Sequence, residues 1–156
     1  MIVSDTDFLS SFIKIGKLDL VFNVFKTKEI TITNAVYDEL KKSPIFVMIQ
    51  PYILSNKIKV ESILTDESNE NFGKGETESI LLAKNKKAKL LMDDREAGRL
   101  AEGQGITVVD IPSFLFYCKE NKILSSYDLN EIISQLKEKD YYEFEKEIKD
   151  ELISEN

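Results

Sequence analysis

The sequence predicts an α/β fold: three layers, helix on sheet on helix, around a central, mainly parallel sheet of about four to five strands. Two observations lead there. Short apolar runs without alternation, Leu90-Leu91-Met92 and Ile106-Thr107-Val108-Val109, have the composition of strands covered on both faces. Amphipathic helical segments alternate with such runs along the chain, which is the order that builds βαβ units and a doubly wound sheet. A third observation concerns chemistry. The runs stop at carboxylates, and in open α/β sheets ligands bind in the crevice at the carboxyl ends of the strands.

Taken in order, Met1-Ile2-Val3 is a brief apolar run that ends at Ser4-Asp5-Thr6-Asp7, which supplies a strand end and a helix cap together. The helix that follows places Phe8, Leu9, Phe12, Ile13 and Ile15 at spacings of three and four, and Gly16 closes it. Asp5 thus stands at a strand end, either as a cap alone or as a group facing a ligand. Leu18 to Phe25 is a second apolar helix and Ile30-Thr31-Ile32 a β-branched strand. Thr33 or Asn34 then caps a helix whose inward stripe is Val36 and Leu40. At 100° per residue Glu39 lies about 60° from Val36, at the stripe's edge, and Asp38 about 160° away, toward solvent.

Ile45 to Leu54 reads as a helix interrupted near Pro51. Ile58 to Ile63 alternates like a half-exposed strand, with Ile58, Val60 and Ser62 on one face. Thr65 to Asn71 is polar throughout and is expected to be a mobile loop. The stretch Gly73 to Asp94, GKGETESILLAKNKKAKLLMDD, is then the organising segment: a glycine-punctuated loop, a helix, and a strand ending in Asp93 and Asp94. On that helix Ile80, Leu81, Ala83 and Ala88 share an arc. Glu76 falls about 40° from Ile80 and one turn before it, where a carboxylate also favours the helix N-terminus, whereas Glu78 lies about 160° from Ile80. Lys84 intrudes on the inward arc, its stem snorkelling or its ammonium reaching a phosphate.

Arg95 to Ala101 is a helix that ends in the turn from Gly103 to Gly105, and Asp110 stands at the end of the next strand. Arg95 and Arg99 are four residues apart, suited to gripping phosphate or to pairing with Glu96 or Glu102. From Pro112 the chain is helical over Ser113 to Glu120, Leu129 to Leu136 and Tyr141 to Ile153. That tail either packs on the domain or offers a partner surface.

Composition narrows the chemistry. The 156 residues suffice for a single domain, with C-terminal helices from about residue 113. No run of apolar residues is long enough to span a membrane and no secretory leader pattern is present, so a soluble cytoplasmic protein is expected. Histidine is absent, which removes histidine triads, His-ligated zinc and histidine acid–base catalysis. Cys118 lies in the apolar run FLFYC and is expected to be buried and structural. A net charge of −7 argues against a nucleic-acid coat protein but leaves room for a nuclease, because a bound cation inverts the field of an acid cluster.

Asp5, Glu39, Glu76 and Asp94 come from four segments, each at a strand end or on a helix edge facing one. Four carboxylates in one pocket require a compensating cation, and oxygen-only donors suit Mg²⁺ or Mn²⁺. Activation of water against a phosphodiester is the chemistry that best fits.

In order and spacing, MIVSDTDFL, ITNAVYDEL, GKGETESILLA and LLMDDREAGRLAEGQGITVVD resemble a PIN-domain protein. The match is closest to the prokaryotic branch with a G-x-G-E-x-E element, akin to VapC-type toxins, and covers roughly residues 1–120. The resemblance places the four family acids on Asp5, Glu39, Glu76 and Asp94. It puts Thr6 where the family has a hydroxyl supporting the metal site, and Asp93 as an extra acid beside the fourth. The third acid is commonly Asp in VapC toxins, so Glu76 fits this branch better than the type members. What this implies is a Mg²⁺- or Mn²⁺-dependent ribonuclease, usually a homodimer and often silenced by an antitoxin. Asp5, Glu76 and Asp94, with Asp93 beside them, would bind the metal, and Glu39 would orient water or complete a second site. Lys84, Lys86, Lys87, Lys89, Arg95 and Arg99 are candidates for contact with RNA. Two other readings stand beside it: a catalytically silent PIN-fold scaffold that binds metal or a partner, and a phosphoacceptor receiver domain.

Overall fold

The computed structural model describes residues 1–65 and 71–155. The chain opens with β1 (Ile2–Ser4), α1 (Thr6–Lys14) and α2 (Leu18–Phe25), and β2 (Ile30–Thr33) runs directly into α3 (Asn34–Lys41). Next come α4 (Phe46–Leu54) and β3 (Ile58–Glu61), and then α5 (Lys74–Lys86), β4 (Lys89–Leu91), α6 (Arg95–Gly103) and β5 (Val108–Val109). The chain finishes with α7 (Ile111–Glu120), α8 (Ser126–Asp140) and α9 (Lys146–Ile153). The loop expected over Thr65 to Asn71 lies, at residues 66–70, outside the described residues.

All five strands pair in parallel, in the order β3-β2-β1-β4-β5. β1 is the middle strand, with Val3 opposite Thr31 on one side and Leu90 on the other. From β1 the chain winds outward through β2 to β3, then crosses to the far side of β1 and winds outward again through β4 to β5. The reversal leaves a crevice beyond the carboxyl ends of β1 and β4, the place where such sheets hold ligands.

Alternation along the central strands feeds two cores. Ile2 and Leu91 join one apolar cluster, with Phe8, Phe12, Phe114, Leu129 and Leu136; Val3, Leu90 and Met92 join the other, with Ile80, Leu82, Ala97 and Ala101. α5 and α6 therefore cover one face, and α1, α2 and the C-terminal helices cover the opposite one. The tail packs on the domain: Leu129, Ile132, Ile133, Leu136 and Leu152 are all buried. Cys118 is buried among them, and burial pushes its thiol up to about 11, which leaves it protonated and inert. Among the described residues no helix is long and apolar enough to cross a membrane.

Four expectations change. The last helix starts at Lys146 rather than Tyr141, because Tyr141 takes a left-handed conformation at φ 54° as the C-cap of α8. The helix α4 runs through Pro51 without a break. Pro51 is exposed, and Val47, whose carbonyl loses its partner there, is 71% exposed, so water can take that bond. β3 is an edge strand whose Ile58 is buried while Val60 is 37% exposed, so its two same-face residues do not share one environment. On α5 it is Leu82, not Leu81, that is fully covered, and Glu78 is buried as well. α5 is wedged between α3 and the sheet, so two of its faces are covered and a single-stripe reading fails.

Candidate active site

The strand ends serve as helix caps. Asp5 ends β1 and caps α1, accepting from Phe8 N at 2.8 Å; Thr33 ends β2 and caps α3. Asp94 follows β4 and caps α6 through Ala97 N at 2.8 Å, and Asp110 follows β5 and caps α7 through Ser113 N at 2.8 Å. Each cap satisfies an otherwise orphaned N–H of the first helical turn, and because all the strands are parallel, all of these side chains gather on one rim.

Asp5 is the deepest of them. It is 2% exposed, and its second oxygen accepts from Asp93 N at 3.3 Å, which pins β4's exit to β1's. Burial drives its carboxyl well above the usual carboxylate range, and the charges of Asp7 and Asp93 add to the rise, against the N–H of Phe8 and that of Asp93.

In front of Asp5 the crevice brings Asp7, Glu39, Glu76 and Asp94 together. Asp7 is raised by burial and then by Glu39, Asp140 and Asp94. Glu76 is raised by burial and then by Glu39, Asp7 and Asp94, against a backbone N–H that favours its charge. Asp7 is not among the acids that the sequence singles out. The available signal was its place in the first turn after a strand end, which points it across the same rim.

Two glycines make room for this. A Cβ at Gly75 would stand 2.6 Å from Glu39 Oε1, and one at Gly73 would stand 2.5 Å from Glu76 Oε2. The Glu39 carboxylate thus rests against the α5 backbone, and its other oxygen accepts from the Thr6 hydroxyl. Gly75→Ala improves an intrinsic helix position yet displaces a flexible carboxylate tip. We expect thermal stability within about 1 kcal/mol of the parent, measured by calorimetry.

Glu78 was expected to point away. It instead accepts from Ala35 N at 3.1 Å at the start of α3 and lies 3.8 Å from Lys74, so it ties α5 to α3 and takes no part in the rim. Asp38 faces solvent as expected and pairs with Lys41.

Asp93 turns the other way. Its Oδ1 accepts from Ile111 N at 2.9 Å and from the Tyr142 hydroxyl at 3.1 Å, so it holds α7 and the tail against β4. The Tyr142 proton is held far above its ordinary range by burial and by the Asp93 charge. Asp93 itself is raised from 3.8 to about 6, by burial first and by Asp110 and Asp7 as well, while its two hydrogen bonds oppose the rise. Between those two values the folded protein holds a proton that the unfolded chain has released, so stability falls as pH climbs through that window. In metal-free buffer the melting temperature should drop from pH 4.5 to pH 6.5, and Asp93→Asn, which keeps both accepted bonds, should flatten that slope.

The basic candidates divide. Arg95 pairs with Glu145 at 3.1 Å rather than with Glu96 or Glu102. Arg95 and Arg99 line a small cavity beside the acids, with Asp93, Asp94, Asp110 and Ser113. Lys84 lies on the opposite rim, beside Ile2, Lys89 and Thr107 at the amino ends of β1, β4 and β5, and does not flank the acids. Lys84 stands in the last turn of α5, at the end of the helix far from Glu76, and so does not reach the acids.

The donor set is oxygen alone, which fits a hard divalent cation. Among the described residues no group of three or more acids is already closed around one point as a metal would need, so the rim is an open ring of coupled carboxylates.

A family model described as a PIN domain matches residues 1–155. Among solved structures, the chain is similar to a PilT N-terminus domain protein from the hyperthermophilic archaeon Sulfolobus solfataricus P2, at 19% identity and a TM-score of 0.56, over 71% of this chain and 87% of that one. It is also similar to a domain of a functionally unknown protein from Methanocaldococcus jannaschii, at 21% identity and a TM-score of 0.49, over 70% of this chain and 89% of that one. No curated protein matches the chain significantly.

Proposed function

The chain belongs to the PIN-domain family, whose fold is of nuclease type, and from that premise we propose that it is a metal-dependent endoribonuclease of the VapC-like toxin kind, hydrolysing RNA phosphodiester bonds in the cytoplasm. The observation that carries the proposal is the rim itself. The charges of Glu39 and Asp94 bear on Asp7 and Glu76 at the switch point of the sheet and add to the rise that burial gives both carboxyls, while Lys14 opposes it at Asp7. A ring in that state takes up protons or a cation.

Asp5, Glu76 and Asp94 would hold Mg²⁺ or Mn²⁺, with Asp7 beside them. The ion would supply charge neutralisation at the scissile phosphate and a water acidic enough to attack at neutral pH. Asp94 would offer the ion the oxygen that its cap leaves free. Asp5, locked by two backbone N–H groups, fixes the spacing between β1 and β4. Glu39, steadied by Thr6 and by the bare backbone of Gly75, orients the water. Arg95 and Arg99 receive an adjacent phosphate on the β5 side, Arg95 after leaving Glu145. Val47, Met48 and Leu54, exposed on α4, support a partner-bound form, a homodimer or an antitoxin complex.

One rival stands beside it, a catalytically silent PIN-fold scaffold that binds metal or a partner without cutting. A labelled single-stranded RNA pool incubated with the purified protein, freed of any partner, in Mn²⁺, Mg²⁺ or EDTA separates the two. Cutting with metal and none with EDTA is expected. Folded protein that cuts under neither ion would establish the scaffold instead.

A further inference from the structure

A second cavity lies away from the acids. It measures about 700 Å³ and opens on the opposite rim, at the amino ends of β1, β4 and β5. Lys84, Lys87 and Lys89 line it together with Phe25, Gln104 and Thr107, and no Asp or Glu is among its walls. In a chain with 28 acids and 21 bases this is an unusual enclave.

The three lysines also differ from their neighbours. Lys74 lies near Glu78 and Lys86 reaches Glu61, as ordinary surface lysines do. Lys84, Lys87 and Lys89 make no ion pair with a carboxylate among the described residues. Lys89 instead holds its ammonium 5.2 Å from the centre of the Phe25 ring, at the cavity wall. Helix-dipole compensation explains Lys84, which stands with Lys86 in the last turn of α5. It does not explain Lys89, which is on a strand. Nor does it favour lysine at position 87, where the backbone is left-handed at φ 52° and glycine would be the unstrained choice. Three unpaired cations around one concavity repel one another unless an anion sits between them.

We propose that this cavity binds a phosphate-bearing ligand of nucleotide size, at a site separate from the acids. The three ammonium groups receive the phosphates as point charges, and the Gln104 amide and the Thr107 hydroxyl offer neutral hydrogen bonds beside them. The volume falls within the range of small-molecule sites. Nothing in this depends on the metal or on RNA cleavage.

Inorganic pyrophosphate, ADP and a 12-nucleotide single-stranded RNA, each titrated calorimetrically in low salt with EDTA present, form the test. The protein is the full chain, the Lys87→Gln/Lys89→Gln double variant, and Asp94→Asn as a control on the acid rim. Saturable binding of ADP and pyrophosphate, weakened at least tenfold by the double variant and unchanged in Asp94→Asn, is expected. Binding of the RNA alone, with the same dependence on the lysines, would keep the phosphate chemistry and assign its source to nucleic acid. Absence of binding by all three probes, or binding indifferent to the lysines, would overturn the proposal. Lys84→Gln, an exposed change on the same wall, gives the same reading if the double variant misfolds.

Discussion

Asp94→Asn should abolish metal-dependent RNA cleavage while leaving the protein folded. Asp94 does two jobs that the substitution separates. Its Oδ1 caps α6 through Ala97 N, and asparagine is as good a cap as aspartate because its amide oxygen accepts the same bond. Its charge, by contrast, acts on both Asp7 and Glu76, and an amide cannot supply it. Loss of a residue that merely supports a metal ligand lowers activity by roughly 10- to 100-fold, so loss of a ligand should exceed about 10²-fold. The metal-free protein should melt no lower than the parent, since one carboxylate of a repelling ring is gone. A variant that cuts RNA at the parental rate would remove Asp94 from the chemistry; one that fails to fold would show that its charge serves the architecture.

Phe114→Ala should destabilise the protein by about 3–5 kcal/mol. Phe114 is 1% exposed, and its ring meets Phe8 at 6.0 Å and Phe12 at 5.1 Å, both edge-on, with Phe25 at 5.7 Å. It thereby joins α7 to α1 and α2, directly behind the Asp5 cap. The truncated site cannot collapse, because its three partners lie on two helices already fixed against the sheet. For a chain of this size such a loss lowers the melting temperature by roughly 10 °C. Tyr117→Ala on the same helix, where the ring is 50% exposed, should stay within about 0.5 kcal/mol of the parent and serves as the comparison in urea unfolding.

Much of this architecture was legible because its signals are local. A β-branched or leucine run followed by Asp or Thr marks a strand and the cap of the next helix within a few residues, so β1–α1, β2–α3 and β4–α6 could be read directly. The gathering of Asp5 and Asp94 on one rim followed from parallel pairing alone. What escaped was set at long range. Glu78 could not be placed by a wheel that assumes one buried face, since α3 covers a second. Arg95 meets Glu145, fifty residues later, and no spacing rule reaches that far. Asp93 was read with Asp94 as a pair, yet adjacent residues leaving a strand diverge, and Tyr142 from the tail claims it. Asp7 was overlooked because a nearer acid had already taken the role of cap.

The double duty of the strand-end acids bears on how such a sequence can age. If selection for cutting were relaxed, positions 5, 94 and 110 would still be held to Asp, Asn, Ser or Thr by the helices that start there. Glu39 caps nothing: it sits within α3, with Thr6 and Gly75 as its neighbours, and would be the first to drift. Among diverged relatives, then, an intact set of strand-end acids records a preserved skeleton, and the residue opposite the second glycine records whether the blade was kept.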